Sequence, residues 1–388
     1  MNADPKRSPD SRAVALARAF AATALPLLAG LALPWATAAD PSSGQARHQS
    51  ARVASTPARK LALRIGGTRL LDASGHSVHL IGVNRSGTQY MCVLGKGIFD
   101  GPSDRASIEA IKTWSVNTVR LPLNEDCWLG INGVNPAYSG TDYRVAIETY
   151  VRELNRAGLY VILDVHWSAP GAQLANGQQD MLDASHGYTL WRSIAKGFRT
   201  YPAVLFDLYN EPHTLGATAA EEWRCWAAGC GAYAGMRPLV RTIRAVGAHN
   251  VILLGGLAWA SDESGWLAHK PVDPIHQLAA AFHVYREHSA CTDEACWSRT
   301  LLALARHVPV VDAEFGEMQC GEASALAWLS EWMTYATRHG ISVLAWSWNA
   351  KGGQCGPGPL LIASYDGAPT AYGAAVKAFF VGQGRPAP

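Results

Sequence analysis

Short runs of apolar residues recur along the chain, at 78–83, 118–121, 160–164, 204–209, 251–254, 280–283, 309–312 and 342–346. Between them, at 104–114, 143–157, 232–246, 297–306, 323–338 and 372–380, apolar positions return at helical spacing. Runs this apolar need cover on both faces, which favours a parallel sheet with helices outside it. Strand and helix patterns in alternation predict repeated βα units. About eight such units between residues 61 and 383 fit an α/β chain closed into a (β/α)8 TIM barrel, which needs ~250 residues plus loop insertions. A doubly wound open sheet would open with a GxGxxG turn after its first strand, and none follows residue 83.

The connections are asymmetric. Segments after the expected strands are long (84–103, 166–187, 211–231, 347–366), whereas those after helices are short, at Asn117, Gly158, Gly247 and Gly340. Gly158 and Gly340 fall where helix ends call for a left-handed residue. Barrels of this kind carry their function on the loops at the C-terminal ends of the strands, so this asymmetry locates the site.

Outside the repeat, the first forty residues read as an export signal. Lys6, Arg7, Arg12 and Arg18 precede an apolar stretch over 19–33, and Ala36-Thr37-Ala38 offers a small-residue cleavage site. The expected organisation is therefore a signal peptide over 1–39, a polar disordered spacer over 40–60, and a single (β/α)8 domain over 61–383. The mature protein is expected to be secreted, extracellular or periplasmic, and monomeric. A formal net charge of only +2 gives no electrostatic case for nucleic acid or an anionic membrane surface.

Eight cysteines in an exported chain suggest disulfides. Cys225 with Cys230 and Cys291 with Cys296 are close enough to clip single loops; Cys92 with Cys127 and Cys320 with Cys355 would tie adjacent loops together. Without a CxxC or a histidine partner at ligand spacing, no metal site is expected.

The chemistry gathers at the strand ends. The stretch VLFDLYNEPH ends an apolar strand in Asn210, Glu211 and Pro212, where the proline stops the ladder. VPVVDAEFG brings Glu314 to the end of another. Arg120, Asp164, His166, His283, Tyr285, Trp346 and Trp348 stand at the remaining ends. Ionisable groups in such buried places are costly unless they serve one another or a ligand. Two carboxylates at strand mouths are the minimum for acid/base and nucleophilic chemistry on an acetal.

NTVRLP, GLYVILDVH, LYNEPH, HVY, EFG and WSWN occur in this order, after the opening GGTRLLDASGHSVHLIGVN. The set resembles glycoside hydrolase family 5, the cellulase family of the retaining (β/α)8 clan, over residues 61–380. The resemblance implies that Glu211 is the general acid/base and Glu314 the nucleophile. It implies that Asn210 binds the hydroxyl next to the anomeric carbon, and that Arg120 and Tyr285 keep Glu314 ionised and aimed. His166 and His283 would line the subsite at the cleavage point, with Trp346 as its stacking platform. No cofactor is implied, and the partner is a poly- or oligosaccharide.

Other residues compete for these roles. Glu317 is an alternative nucleophile, but it falls beyond the strand in a glycine-flanked loop. Asp164 and Asp207 are expected to orient neighbours, and Asp312, two residues before Glu314, to share its face behind the site. Trp128, Trp167, Trp259 and Trp348 are either sugar platforms or rim packing. Glu125 and Asp126 either bind substrate hydroxyls or are solvated. The sequence also departs from better-known cellulases, with Arg85 and Ser86 where these often carry aromatic residues, and with a long polar loop over 166–187.

The expected function is a secreted retaining β-glycoside hydrolase, an endo-β-1,4-glucanase first, with β-mannanase or an exo-acting β-glycosidase as the alternative. A non-catalytic carbohydrate-binding barrel is disfavoured because both glutamates and their supporting residues are present. Neither GxSxG nor HExxH occurs, which removes the usual signatures of serine and zinc hydrolases.

Overall fold

The computed structural model describes residues 61–287, 289, 291–317, 322–351 and 359–383, all within one compact unit, Thr56–Pro388. The expectations for residues 1–60 and for Cys320 with Cys355 lie outside the described residues.

Eight parallel strands close into a barrel: β1 (Ile81–Asn84), β2 (Thr118–Asn124), β3 (Tyr160–Trp167), β4 (Val204–Asp207), β5 (Ile252–Gly255), β6 (Leu278–Tyr285), β7 (Val310–Gly316) and β8 (Ser342–Ala345). Each pairs with its neighbours in chain order, and β8 returns to β1. All eight apolar runs are therefore strands, though several ends shift. The run at 78–83 starts pairing only at Ile81, while β2, β3, β6 and β7 extend further toward the site than the runs implied.

Helix Ala323–Arg338 has the expected bounds. The expected helix at 232–246 begins only at Met236, because Tyr233–Ala234 pairs with Gly229–Cys230 in a small hairpin. Two of the longer helices were not expected. Gly187–Phe198 follows the long loop after β3, and Ala219–Ala228 lies within the loop after β4, opened by a capping box between Thr218 and Glu221. Gly158 and Gly340 do take left-handed conformations, at φ 87° and 72°.

The barrel interior is narrow and filled. Leu80, Ile162, Ala203, Leu205, Leu253, Ala279, Ala281, Val311, Ala313 and Leu344 form one buried cluster. A hairpin of Leu63–Gly66 and Arg69–Asp72 adds Leu63, Ile65 and Leu70 to it. Leu63 N donates to Pro202 O, just before β4, so this hairpin closes the N-terminal end. Each fully buried Leu or Ile stabilises the fold by about 1.5–3 kcal/mol. With that end sealed, the C-terminal end is where polar side chains gather.

Three disulfides are formed among the described residues, Cys92–Cys127, Cys225–Cys230 and Cys291–Cys296. The first ties the loop after β1 to the short helix Glu125–Leu129 after β2.

Candidate active site

Arg120 lies at the centre of the polar end of the barrel. It is fully buried on β2 and bonded on every side. Its Nε and Nη2 reach Asp207 at 3.0 and 2.9 Å, and Nη2 reaches Asp164 at 3.1 Å. Nη1 donates to Asn84 Oδ1 at 3.0 Å and to Glu314, and Nη2 to Asn210 Oδ1 at 2.8 Å. Burial alone would disfavour the cation, but the Asp164, Asp207 and Glu314 carboxylates outweigh it and raise the pKa. Asp164 and Asp207 thus do orient a neighbour, and that neighbour is Arg120.

Glu314 takes two donors, Arg120 Nη1 and the Tyr285 hydroxyl, the latter at 2.9 Å. It faces inward because of a bulge. Asp312 pairs with Phe282 and Glu314 with His283, which leaves Ala313 as an extra residue. Ala313 lies in the inner cluster, and the bulge turns Glu314 inward as well, against the period of two. The expectation for Asp312 is overturned by the same feature. Asp312 points outward and accepts from Trp332 Nε1 at 2.8 Å, on helix Ala323–Arg338. Glu317 is buried beyond β7, close enough for its charge to help raise the Tyr372 pKa after burial and Asp312. Arg120 and Tyr285 converge on Glu314 instead.

Glu211 stands opposite. Its Oε1 is 2.9 Å from His283 Nδ1, and that same nitrogen is 3.9 Å from Glu314 Oε2. One carboxylate oxygen from each glutamate and a ring nitrogen of His283 all lie within 4.8 Å of one another. By atom type this trio is also the group among the described residues that could hold a metal ion, although Arg120 against Glu314 opposes a second cation there. Burial raises the Glu211 pKa, partly offset by His166, Gln178, Arg120 and His213. Burial pushes His283 down to about 3 and His166 to about 4, against the pull of Glu314 on each. Both rings are therefore neutral near pH 7. His166 Nδ1 sits 2.7 Å from Asp164 Oδ2, and its ring lies parallel to Trp346, with centroids 5.3 Å apart.

The eight strand-end residues given a role by the resemblance, Arg120, His166, Asn210, Glu211, His283, Tyr285, Glu314 and Trp346, thus meet at one rim. Sequence reasoning missed Gln178, Asp180 and His213. His213 Nδ1 is 2.8 Å from Glu211 O, its Nε2 is 3.1 Å from Asp180, and its ring stacks on Trp259 at 3.5 Å. A histidine two residues past Glu211 was the available signal for His213. Gln178 and Asp180, in a polar loop, gave none.

Four other expectations resolve against a substrate role. Trp128 packs on Tyr143 and Phe198, and Trp348 on Trp114, both buried. Glu125 and Asp126 are buried and anchor the loop after β3, with Glu125 accepting from Ala169 N and Asp126 from Ala175 N. Arg85 turns into a buried ion pair with Asp100, and Ser86 accepts from Asn349. Trp167 is half-buried beside Tyr90. Trp259 is 50% exposed at the rim.

Fold and site together define a (β/α)8 barrel with two carboxylates opposed across its mouth. The description Cellulase (glycosyl hydrolase family 5) matches residues 71–352, and the chain belongs to that family. Its relatives include Cellulase/esterase CelE of Acetivibrio thermocellus, 27% identical over 44% of this chain and 22% of that protein. Endoglucanase A of Butyrivibrio fibrisolvens is 24% identical over 66% of this chain and 52% of that protein. The chain thus spans between about a fifth and a half of these relatives' length. Among solved structures, a beta-glucanase from Saccharophagus degradans in complex with cellotetraose superposes with a TM-score of 0.65 at 21% identity, covering 84% of this chain and 94% of that one. The catalytic domain of the major endoglucanase from Xanthomonas campestris pv. campestris gives 0.63 at 21%, covering 82% and 99%. At such identities the likeness speaks for the fold. Among the described residues no helix is long and apolar enough to cross a membrane.

Proposed function

We propose that this chain is a retaining β-glycoside hydrolase, an endo-β-1,4-glucanase, acting by double displacement with Glu314 as nucleophile and Glu211 as acid/base. One observation carries the reading: an oxygen of each carboxylate lies within 4.8 Å of the other. Retention needs carboxyl groups about 5–5.5 Å apart, whereas inversion leaves ~6.5–9.5 Å for a water. A pair with oxygens this close fits the first spacing.

Each residue then has a task its contacts suit. Arg120 and Tyr285 hold Glu314 by two hydrogen bonds, so that one lone pair faces the anomeric carbon. Glu211, its pKa raised by burial, gives its proton to the departing oxygen while the Glu314–sugar bond forms. It then takes a proton from the water that breaks that bond. Neutral His283 beside Glu211 adds no charge that would force early ionisation. Trp346, half-buried and parallel to His166, offers a flat face to the sugar being cleaved.

On the other side of the cut, Trp259 presents an exposed ring braced by His213. Ala258, Trp259 and Ala260 all have positive φ, at 50°, 62° and 53°, costing about 1–2 kcal/mol each. Strain of that kind is kept where a side chain must be aimed, and here it aims a platform for the leaving sugar.

The β-glucan substrate rests on this geometry together with the relatives described as endoglucanases and the fold relative solved with cellotetraose. We further propose a secreted monomer. Three disulfides suit an oxidising compartment, and one chain supplies every residue of the site. The test is a panel of β-glucan, mannan, xylan and aryl glycosides, with the anomer of the fresh product read by NMR. Release of short β-anomeric oligosaccharides from β-1,4-glucan is expected. An α-anomer as first product, or no turnover of any β-glycan, would overturn the reading.

A further inference from the structure

The loop after β3 crosses the rim and is fastened to the strand end that carries Glu211. Gln179 N donates to the Tyr209 hydroxyl at 2.9 Å, and that hydroxyl donates to Gln179 O at 2.7 Å. Asp180 O accepts from His213 N at 2.9 Å. Its carboxylate lies 3.1 Å from His213 Nε2 and accepts from the Tyr233 hydroxyl at 2.8 Å. Gln178, next to these anchors, has little freedom of its own.

Its amide makes two bonds. Oε1 accepts from Asn210 Nδ2 at 2.7 Å, and Nε2 donates to Glu211 O at 3.0 Å. The direction of this series is dictated from one end. Arg120 can only donate, so Asn210 must turn Oδ1 toward it and Nδ2 away. That nitrogen needs an acceptor, which fixes Gln178 Oε1, and the Gln178 nitrogen then meets the Glu211 carbonyl. Flipping either amide would set oxygen against oxygen or N–H against N–H.

We propose that Gln178 is a positioning residue for the reaction: its paired amide bonds hold the second Asn210 N–H on the hydroxyl next to the anomeric carbon and keep Glu211 aimed at the leaving oxygen. The inference rests on the function proposed above. Gln178 is also among the groups that pull the raised Glu211 pKa partly back down, which places its influence on the acid as well as on Asn210.

The experiment uses the full chain with an aryl β-cellobioside and its counterpart lacking the 2-hydroxyl on the unit being cleaved. A contact to that hydroxyl strengthens in the transition state, so Gln178→Ala should lose about tenfold or more in kcat on the first substrate and several-fold less on the second, where only the aim of Glu211 is lost. KM should change little, and Tm should hold. Gln178→Glu keeps an acceptor for Asn210 but loses the donor to Glu211 O. It should retain most of the preference for the 2-hydroxyl while the alkaline limb of the pH profile moves up. Equal losses on both substrates, or no loss on either, overturn the proposal. Should the alanine variant be poorly folded, an unchanged alkaline limb in Gln178→Glu overturns it independently. A wild-type chain that cleaves no β-glycoside at all overturns the functional reading, and this inference with it.

Discussion

Tyr285 donates its hydroxyl to Glu314 Oε2 at 2.9 Å, and the ring can lie there because residue 316 has no side chain. A Cβ on Gly316 would stand 2.6 Å from Tyr285 Cε1 and 2.7 Å from Pro359 Cγ, closer than side-chain carbons pack. The glycine at the end of β7 and the phenol at the end of β6 are two halves of one device for holding Glu314.

Gly316→Ala should therefore act through Tyr285. We expect about a tenfold fall in kcat, the size of one lost hydrogen bond to a charged group. Tyr285→Phe should fall by a similar factor. The double variant should be little worse than either alone, since both remove the same contact. Multiplying losses would mean that Gly316 matters for another reason.

The two glutamates should be separable by rescue with azide. A covalent intermediate on Glu314 exposes the opposite, β face of the anomeric carbon, so Glu211→Ala with azide should yield a β-glycosyl azide. In Glu314→Ala the small anion fills the vacated side and should yield the α product. Without azide, Glu211→Ala should lose about 10²–10⁴-fold on poor leaving groups. The same azide anomer from both variants would show the assignment to be wrong.

The pH profile follows from Glu211. It must be protonated for the first step, and burial raises its pKa from the ordinary 4.5. Activity is then retained above that value and lost as pH climbs through the raised pKa. With a dinitrophenyl leaving group, which needs no proton, the first step in Glu211→Gln should stay fast and lose its alkaline limb. Pre-steady-state release of the phenolate checks this. A limb that persists in the variant would belong to another group.

A second carboxyl pair lies off the reaction path. Burial and a hydrogen bond with Asp183 push Glu125 up to about 11. Glu125 Oε2 and Asp183 Oδ2 are both buried with no other donor among the described residues, so Glu125 stays protonated over most of the range from its ordinary 4.5 to about 11. A carboxyl with its pKa raised on folding binds more protons folded than unfolded between the two values. Stability therefore falls as pH climbs from about 4.5 toward about 11. Glu125→Gln supplies a permanent N–H to Asp183 and should remove that slope. A gain of about 1.4 kcal/mol for each pH unit above 4.5 is expected, so several kcal/mol at pH 9 and little change at pH 4.5, as read by urea unfolding at both values.

Much of the site was legible from local sequence. A buried strand that ends in a carboxylate announces itself through apolar composition and a stop such as Pro212. Eight buried strands at regular spacing leave few ways to arrange the sheet. Arg120, Glu211, His283, Tyr285 and Glu314 could thus be collected at one rim from their place in the chain alone. The disulfides Cys225–Cys230 and Cys291–Cys296 were readable for a similar reason, since each spans only 5 positions.

The chain's own pattern thus determined the eightfold repeat, the end of the barrel that carries chemistry, and the two glutamates, because periodicity and strand-end position are properties of neighbouring residues. Tertiary structure alone decided that an extra residue at Ala313 turns Glu314 inward and leaves Asp312 facing Trp332. It also decided that Glu125 and Asp126 are buried, and that Gln178 crosses the rim to Asn210. Those outcomes depend on partners tens to hundreds of positions away, and the spacing of residues within one segment carries no information about which distant segment it will meet.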